Sequence, residues 1–371
     1  MLRNSRRYLF LLLVLLALVF LFYKLRHAAS FEGFRWDIVA ASLRQARLPF
    51  LGISLIAIYA CYALRALRWM RFCRGLGETH FRNVYSATLM GFTCVFLLGR
   101  AGEPVRPALI ARKDSLSMPR MFGVFVLERI FDMGATAVLA IIALLLFERG
   151  GTGGPGNEIV IKSARSAGVV LLGGLVATIS FLVYFQYHGA GWLSTRLSED
   201  HWRHGWRSKI VALLQGFSEG LQGIRTWSDL SAVSGYTAVH WALVVFVYYW
   251  SVQAFPGALA ALSLSSVILV LAFTLIGSAA QLPVAGGGSQ AATFLVLTLI
   301  FGVEKEPAAV ASIVLWLVAF ASCCLVGLPL LLREGWSMGE LRRMARDEER
   351  AGEGQLLADA AHGRAMKERP E

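Results

Sequence analysis

Residues 99–114 read GRAGEPVRPALIARKD, and they lie between two apolar runs, YSATLMGFTCVFLL (85–98) and MFGVFVLERIFDMGATAVLAIIALLLF (121–147). Arg100, Glu103, Arg106, Arg112, Lys113 and Asp114 therefore interrupt a chain that otherwise suits hydrocarbon. Of the 371 residues, 56% are hydrophobic and only 16% charged. Several apolar stretches approach the ~20 residues that a helix needs to span a bilayer. The fold class this implies is an all-α polytopic membrane protein.

The formal net charge of +12 is no signature of nucleic-acid binding. Its basic residues cluster between apolar segments, where cytoplasmic loops and anionic headgroups select them. The five cysteines (Cys61, Cys73, Cys94, Cys323, Cys324) show no CxxC or Cys/His ligand spacing, so they read as free thiols, with no metal site and no cofactor expected.

Nine apolar segments follow one another: 8–23, 48–64, 85–98, 121–147, 167–187, 230–254, 264–280, 291–303 and 307–332. Arg3, Arg6 and Arg7 precede the first, but Lys24 and Arg26 spoil a signal-cleavage region, and an uncleaved helix is expected. If 85–98 and the pair 264–303 are re-entrant hairpins, 26 of the 36 Lys and Arg fall on the inner side and 9 outside. That distribution obeys the positive-inside bias, whereas a full crossing by 85–98 inverts it. The expectation is about six full spans plus two re-entrant hairpins, with eight spans as the alternative. Both termini are then cytoplasmic, in a bacterial inner membrane.

A repeat emerges from this topology. In each half a basic, partly amphipathic stretch (31–47, then 208–228) leads into a span, a break (near 99–103, then 282–290) and a further span. Matched interruptions in halves of opposite orientation point to a transporter-type site near the bilayer middle. The organisation expected is one transmembrane domain, 1–332, with halves at about 8–147 and 166–332, and a charged cytoplasmic tail, 333–371.

Broken helices at membrane depth must be buried in protein or line a wet cavity, because unpaired backbone in lipid is costly. Gly102 and Pro104 suit a helix start running toward Lys113, and free N–H groups at such a start favour an anion. With Arg100 before it and Arg106 one turn inside, the start reads as a phosphate cradle; a cytoplasmic helix whose arginines only enforce topology is the other reading. Glu128, Arg129 and Asp132 then fall about two turns into the next apolar run. Glu128 and Asp132 share a face, and Arg129 has the spacing to pair with Asp132 along the helix. Ionisable groups at that depth mark functional sites, although three arginines and three acids also suffice for a neutral network that locks the hairpin.

These residues carry a resemblance. GRAGEPVRPALIARK followed by VLERIFDM, with a later Pro and glycine-rich break, is similar to the flippase-like integral membrane family named for the transmembrane region of lysylphosphatidylglycerol synthase. The likeness runs over roughly residues 8–332 and rests on the paired motifs GExxR (Gly102, Glu103, Arg106) and ERxxD (Glu128, Arg129, Asp132). It implies a protein that binds an anionic or polyprenyl-linked lipid and moves it between leaflets, with these residues beside the headgroup path. No aminoacyl-transfer domain follows residue 332, so lipid aminoacylation is not expected. The family's second break carries Pro, Gly-Gly-x-Gly and a nearby Glu. This chain has Pro283, Gly286, Gly287 and Gly288, but Gln290 and no acid.

Three glycines in succession permit either a tight hairpin turn or a close approach of backbone to a headgroup, with Gln290 satisfying peptide groups. Among weaker signals, RGGTGGPGNE (149–158) lacks the lysine of a phosphate loop and reads as an external loop. His188, His201 and His204 among Trp192, Trp202 and Trp206 read as an interfacial anchor.

The function expected is a lipid flippase or lipid-carrier transporter, with no catalytic step and no nucleic-acid partner, and with homo-oligomers allowed. Arg100 and Arg106 would hold the phosphate, Glu103, Glu128 and Asp132 would compete for those arginines or for a proton, and Arg129 would order the acids. The rivals are a membrane-embedded lipid-modifying enzyme, for which no DxD, HExxH or nucleophile–base pair is evident, and a non-transporting scaffold subunit.

Overall fold

The computed structural model describes residues 35–149 and 226–335 apart from 283 and 285, together with Gly173 and Ile224. The first and fifth apolar segments, the 149–158 loop beyond Arg149, the His/Trp patch, most of the 208–228 stretch, Pro283 and the tail from 336 lie outside the described residues.

The described chain is almost entirely helical. A short helix α1 (Trp36–Arg44) leads into α2 (Leu48–Cys73), which opens with a proline in its first turn, where the missing N–H costs nothing. Helix α3 (Phe81–Leu98) ends in a one-turn 3₁₀ segment (Gly99–Gly102), followed by α4 (Val105–Lys113) and the 32-residue α5 (Met118–Arg149). After it come α6 (Trp227–Gln253), capped by Thr226 on Asp229 N, and α7 (Leu264–Gly277), capped by Ser263 on Ser266 N. A minimal antiparallel pair, β1 (Gln281–Leu282) with β2 (Gly286–Gly287), then turns the chain into α8 (Gly288–Leu295). The final helices α9 (Lys305–Trp316) and α10 (Cys323–Arg333) run through a π-helical turn as one apolar rod.

Four described stretches are long and apolar enough to cross a membrane: Leu48–Cys73, Phe81–Gly102, Trp227–Gln253 and Lys305–Arg333. The side chains they leave uncovered fit hydrocarbon, with Ile56, Val239, Ile313 and Leu325 all exposed. In water such a surface would aggregate; in a bilayer it is the expected outer face. The chain is therefore a multi-pass membrane protein.

Helices α2 and α6 run antiparallel along their length. Ser54 Oγ reaches Val247 O (3.3 Å), Cys61 Sγ reaches His240 O (3.8 Å), and Arg68 Nη1 reaches Thr237 Oγ1 (3.0 Å). Helix α10 lies equally close to α3: a Cβ on Gly327 would come 2.1 Å from Thr93 Oγ1 and 2.5 Å from Leu89 O, so only glycine permits that approach. Tyr59 donates to Ser322 O at 2.7 Å, satisfying a carbonyl at the π turn, where the helical ladder is disturbed.

The interrupted segments are helical hairpins. In the first, α4 folds back antiparallel on α3. A Cβ on Gly102 would lie 2.3 Å from Cys94 O, one on Gly91 would lie 2.5 Å from Arg106 Cβ, and Asn83 Nδ2 donates to Asp114 Oδ1 at 2.7 Å. The chain thus returns at Asp114 to the level where α3 began. In the second, α7 and α8 are antiparallel, with Thr274 and Thr293 hydroxyls 2.6 Å apart and Gly277 against the backbone of Gly288. The two tips touch, since Val284 N donates to Phe96 O at 2.8 Å.

One boundary differs from the sequence expectation in a way that matters. The second apolar segment does not end at Leu64; α2 continues to Cys73, and Arg65 and Arg68 are part of it. These two arginines read as loop cations because charge ends an apolar run, yet here buried acids on a neighbouring helix compensate them.

Candidate functional site

Helices α2, α4 and α5 bring five charges of the described residues together in the bundle, against α6. Arg65 and Arg68, three apart on one face of α2, meet Glu128 and Asp132, four apart on one face of α5. Arg65 Nη1 lies 3.0 Å from Glu128 Oε1 and 2.9 Å from Asp132 Oδ2. Arg68 Nη2 lies 2.9 Å from Glu128 Oε1 and 2.8 Å from Asp132 Oδ1. Arg106 of α4 completes the group by a two-pronged contact on Glu128, with Nη1 3.3 Å from Oε1 and Nη2 on Oε2. Planar guanidiniums suit such forked contacts with carboxylates.

Burial of the cluster is nearly complete. Relative exposures are 0% for Glu128, 1% for Arg68, 3% for Arg106 and 7% for Asp132. Aromatic faces line it: the Arg106 guanidinium sits 4.9 Å from the Trp69 ring centroid, 5.4 Å from Phe92 and 5.8 Å from Phe125, while Arg65 sits 5.3 Å from Phe92. Such walls exclude water and stabilise cations through the ring quadrupole. Among the described residues, three guanidiniums face two carboxylates, which leaves one cation in excess. An unbalanced buried charge is costly in a low-dielectric interior.

The residues singled out from the sequence separate into two sets. Arg106, Glu128 and Asp132 converge in this cluster. Glu103 and Arg129 form a pair outside it, 3.6 Å apart with side chains 29% and 39% exposed, and the Arg129 guanidinium lies 4.8 Å from the Phe125 centroid. The pairing of Arg129 with Asp132 along α5 is therefore replaced. Asp132 is held by Arg65 and Arg68 across the helix interface, and Arg129, adjacent in sequence to Glu128, points about 100° away around the helix. Arg100 is exposed on the 3₁₀ turn, whereas Arg106 is buried. The helix start itself offers fewer free donors than expected, because Pro104 precedes Val105 and Pro107 follows Arg106, and neither proline has an N–H. Gly102 serves the hairpin by letting its backbone press against Cys94 O.

At the second break the geometry accounts for the glycines by the turn. Gly286 and Gly287 have φ of +74° and +106°, a region that disfavours side chains, and Gly288 packs against Gly277 O, where a Cβ would stand at 2.2 Å. Gln290 folds back so that its Oε1 accepts from Gly287 N and closes the start of α8. The four residues shape the hairpin tip that touches Phe96.

Sequence reasoning missed Arg65, Arg68, Thr237 and His240. The arginines carried a usable signal: Cys61, Arg65 and Arg68 repeat at helical spacing and continue the buried stripe of α2 past the last apolar run. His240 is 4% exposed, stacks edge-on to Trp241 at 5.5 Å, and has no hydrogen-bond partner on either ring nitrogen among the described residues.

Two motifs on separate helices, GExxR and ERxxD, are thus tied by the Arg106–Glu128 contact and by the Glu103–Arg129 pair. No curated protein and no solved structure matches the chain. The family model described as the lysylphosphatidylglycerol synthase transmembrane region matches residues 8–327, which takes in every element of the cluster and both hairpins. The chain therefore belongs to the lysylphosphatidylglycerol synthase transmembrane-region family, a membrane lipid-related family.

Proposed function

We propose that the protein is a lipid flippase or lipid-carrier transporter of a bacterial inner membrane, and that the buried Arg/Glu/Asp cluster holds the headgroup of an anionic or polyprenyl-linked lipid. The observation that carries this reading is the charge imbalance: Arg65, Arg68 and Arg106 surround Glu128 and Asp132 within an apolar bundle. An arriving phosphate takes hydrogen bonds from Arg65 and Arg106, while Glu128 keeps Arg68. The carboxylates compete with the ligand, which keeps binding weak enough for release on the other side. Two hairpins whose tips meet, each between longer helices and with α2 antiparallel to α6, support an inverted repeat of the kind that alternates access around a central site. The acid-free second break, with Gln290 engaged in a helix cap, leaves Glu128 and Asp132 as the carboxylates beside the path.

The reciprocal saturation of Arg106 and Glu128 favours a second reading, a scaffold whose network only locks the first hairpin. Reconstitution separates the two. With fluorescent phospholipid in proteoliposomes, Arg106→Ala and Glu128→Gln are each expected to abolish movement between leaflets while the protein remains inserted. Wild-type rates in both variants contradict the transport reading and favour the scaffold.

A further inference from the structure

We infer that His240 reads a hydroxyl group on the headgroup of a singly charged phosphodiester lipid, an inference that rests on the transport reading above. Among the buried polar atoms with no partner in the described residues are Arg68 Nε and both ring nitrogens of His240. An unsatisfied buried group is costly, so a charged cluster that retains such groups on Arg68 and His240 is suited to a polar ligand. Their placement is coherent. Arg68 donates to Thr237 Oγ1 at 3.0 Å, and Thr237 lies one turn before His240 on the same face of α6. Across from His240 runs the α2 stripe of Cys61, Arg65 and Arg68, with Cys61 Sγ 3.8 Å from His240 O. The charges that act on the ring are Arg65, Asp132, Arg68 and Glu128, from α2 and α5.

Charge and hydrogen bonding then select the ligand class. The one cation in excess among the described residues matches one negative charge, which is the charge of a phosphodiester, whereas a phosphomonoester or diphosphate carries more. A neutral imidazole presents one donor and one acceptor, and a hydroxyl group satisfies both, while an ammonium offers only donors. With the phosphate on Arg65 and Arg106, its substituent meets His240 by extending toward Cys61, which lies one turn from Arg65 on α2 and touches the His240 carbonyl. Glycerol-type phospholipids and sugar-phosphate prenols share this chemistry.

The test compares lipids of equal charge on the full-length protein in detergent: short-chain phosphatidylglycerol, a short prenyl phosphosugar, and phosphatidylethanol, a phosphodiester without a headgroup hydroxyl. Binding is read by isothermal titration. Wild type is expected to bind at least one hydroxylated diester about 3- to 10-fold more tightly than phosphatidylethanol, the worth of one net hydrogen bond. Whichever hydroxylated lipid binds more tightly names the source. His240→Phe should erase the preference by weakening only the hydroxylated lipids, and His240→Gln, which keeps a donor and an acceptor, should retain part of it. Equal affinities in wild type, or equal weakening of all lipids in His240→Phe, overturn the role of His240 and leave the transport reading standing. Absence of saturable binding by every diester contradicts the transport reading itself.

Discussion

Arg68 of α2 donates to Asp132 of α5 across 2.8 Å, with the arginine 1% exposed. This contact ties two helices that are adjacent in space and some sixty residues apart in sequence, at a depth where neither charge is tolerable alone. Removing one partner of a buried pair typically costs up to about 3–5 kcal/mol; loss of Arg68 takes away contacts to Asp132, Glu128 and Thr237 Oγ1, although Arg65 still reaches both carboxylates. Arg68→Met is therefore expected to lower the unfolding midpoint in detergent strongly, and Arg68→Lys less so. A midpoint unchanged in Arg68→Met would show that the contact carries no stability.

Arg106 depends on shape as well as charge. Its guanidinium forks onto Glu128 while lying over Trp69 and Phe92, a geometry that a lysine ammonium does not reproduce. Arg106→Lys should keep the protein folded and inserted but reduce lipid movement at least about tenfold, equivalent to ~1.4 kcal/mol. Full activity in Arg106→Lys would mean that a point charge is sufficient.

The Glu103–Arg129 pair should behave differently. At 3.6 Å it is longer than the 2.8–3.0 Å contacts of the cluster and only partly buried, so it is expected to contribute less. Glu103→Gln is expected to shift the unfolding midpoint little, as measured beside Arg68→Met under the same conditions. A loss comparable to that of Arg68→Met would place Glu103 inside the stabilising network.

Close backbone packing in the first hairpin gives a steric prediction. A Cβ on Gly102 meets backbone atoms of Cys94 and Val95, which cannot rotate away, whereas one on Gly287 meets no atom closer than 3.8 Å. Gly102→Ala should destabilise by about 1–3 kcal/mol through overpacking. Gly287→Ala meets no such clash and faces only the cost of its φ of +106°. Thermal unfolding of the two variants, with Gly102→Ala the more affected, checks the assignment.

Much of the architecture is legible in the chain because lipid imposes a one-dimensional rule. Apolar runs become helices, and the breaks at Gly99–Gly102 and at 282–287 become hairpin tips. The site was half legible. Glu128 and Asp132 announce themselves as carboxylates within an apolar run, and Arg106 by its motif. Arg65 and Arg68 do not, since charge at the end of a hydrophobic segment looks the same whether the helix stops or continues toward a compensating acid. The partnership of Arg129 was misjudged for a related reason: spacing along one helix permits a pair with Asp132, but the competing contacts come from α2 and from Glu103, and only three-dimensional packing decides among them.

The central claim is that one excess buried cation recruits one anionic lipid. Arg65 tests it most directly, being the cluster arginine with the greatest exposure, 12% at its side chain. Arg65→Gln leaves Arg68 and Arg106 balanced against Glu128 and Asp132. Native mass spectrometry of the purified protein should find one bound anionic phosphodiester lipid on wild type and on Arg65→Lys, and none on folded Arg65→Gln. Equal lipid occupancy in wild type and Arg65→Gln would contradict the account.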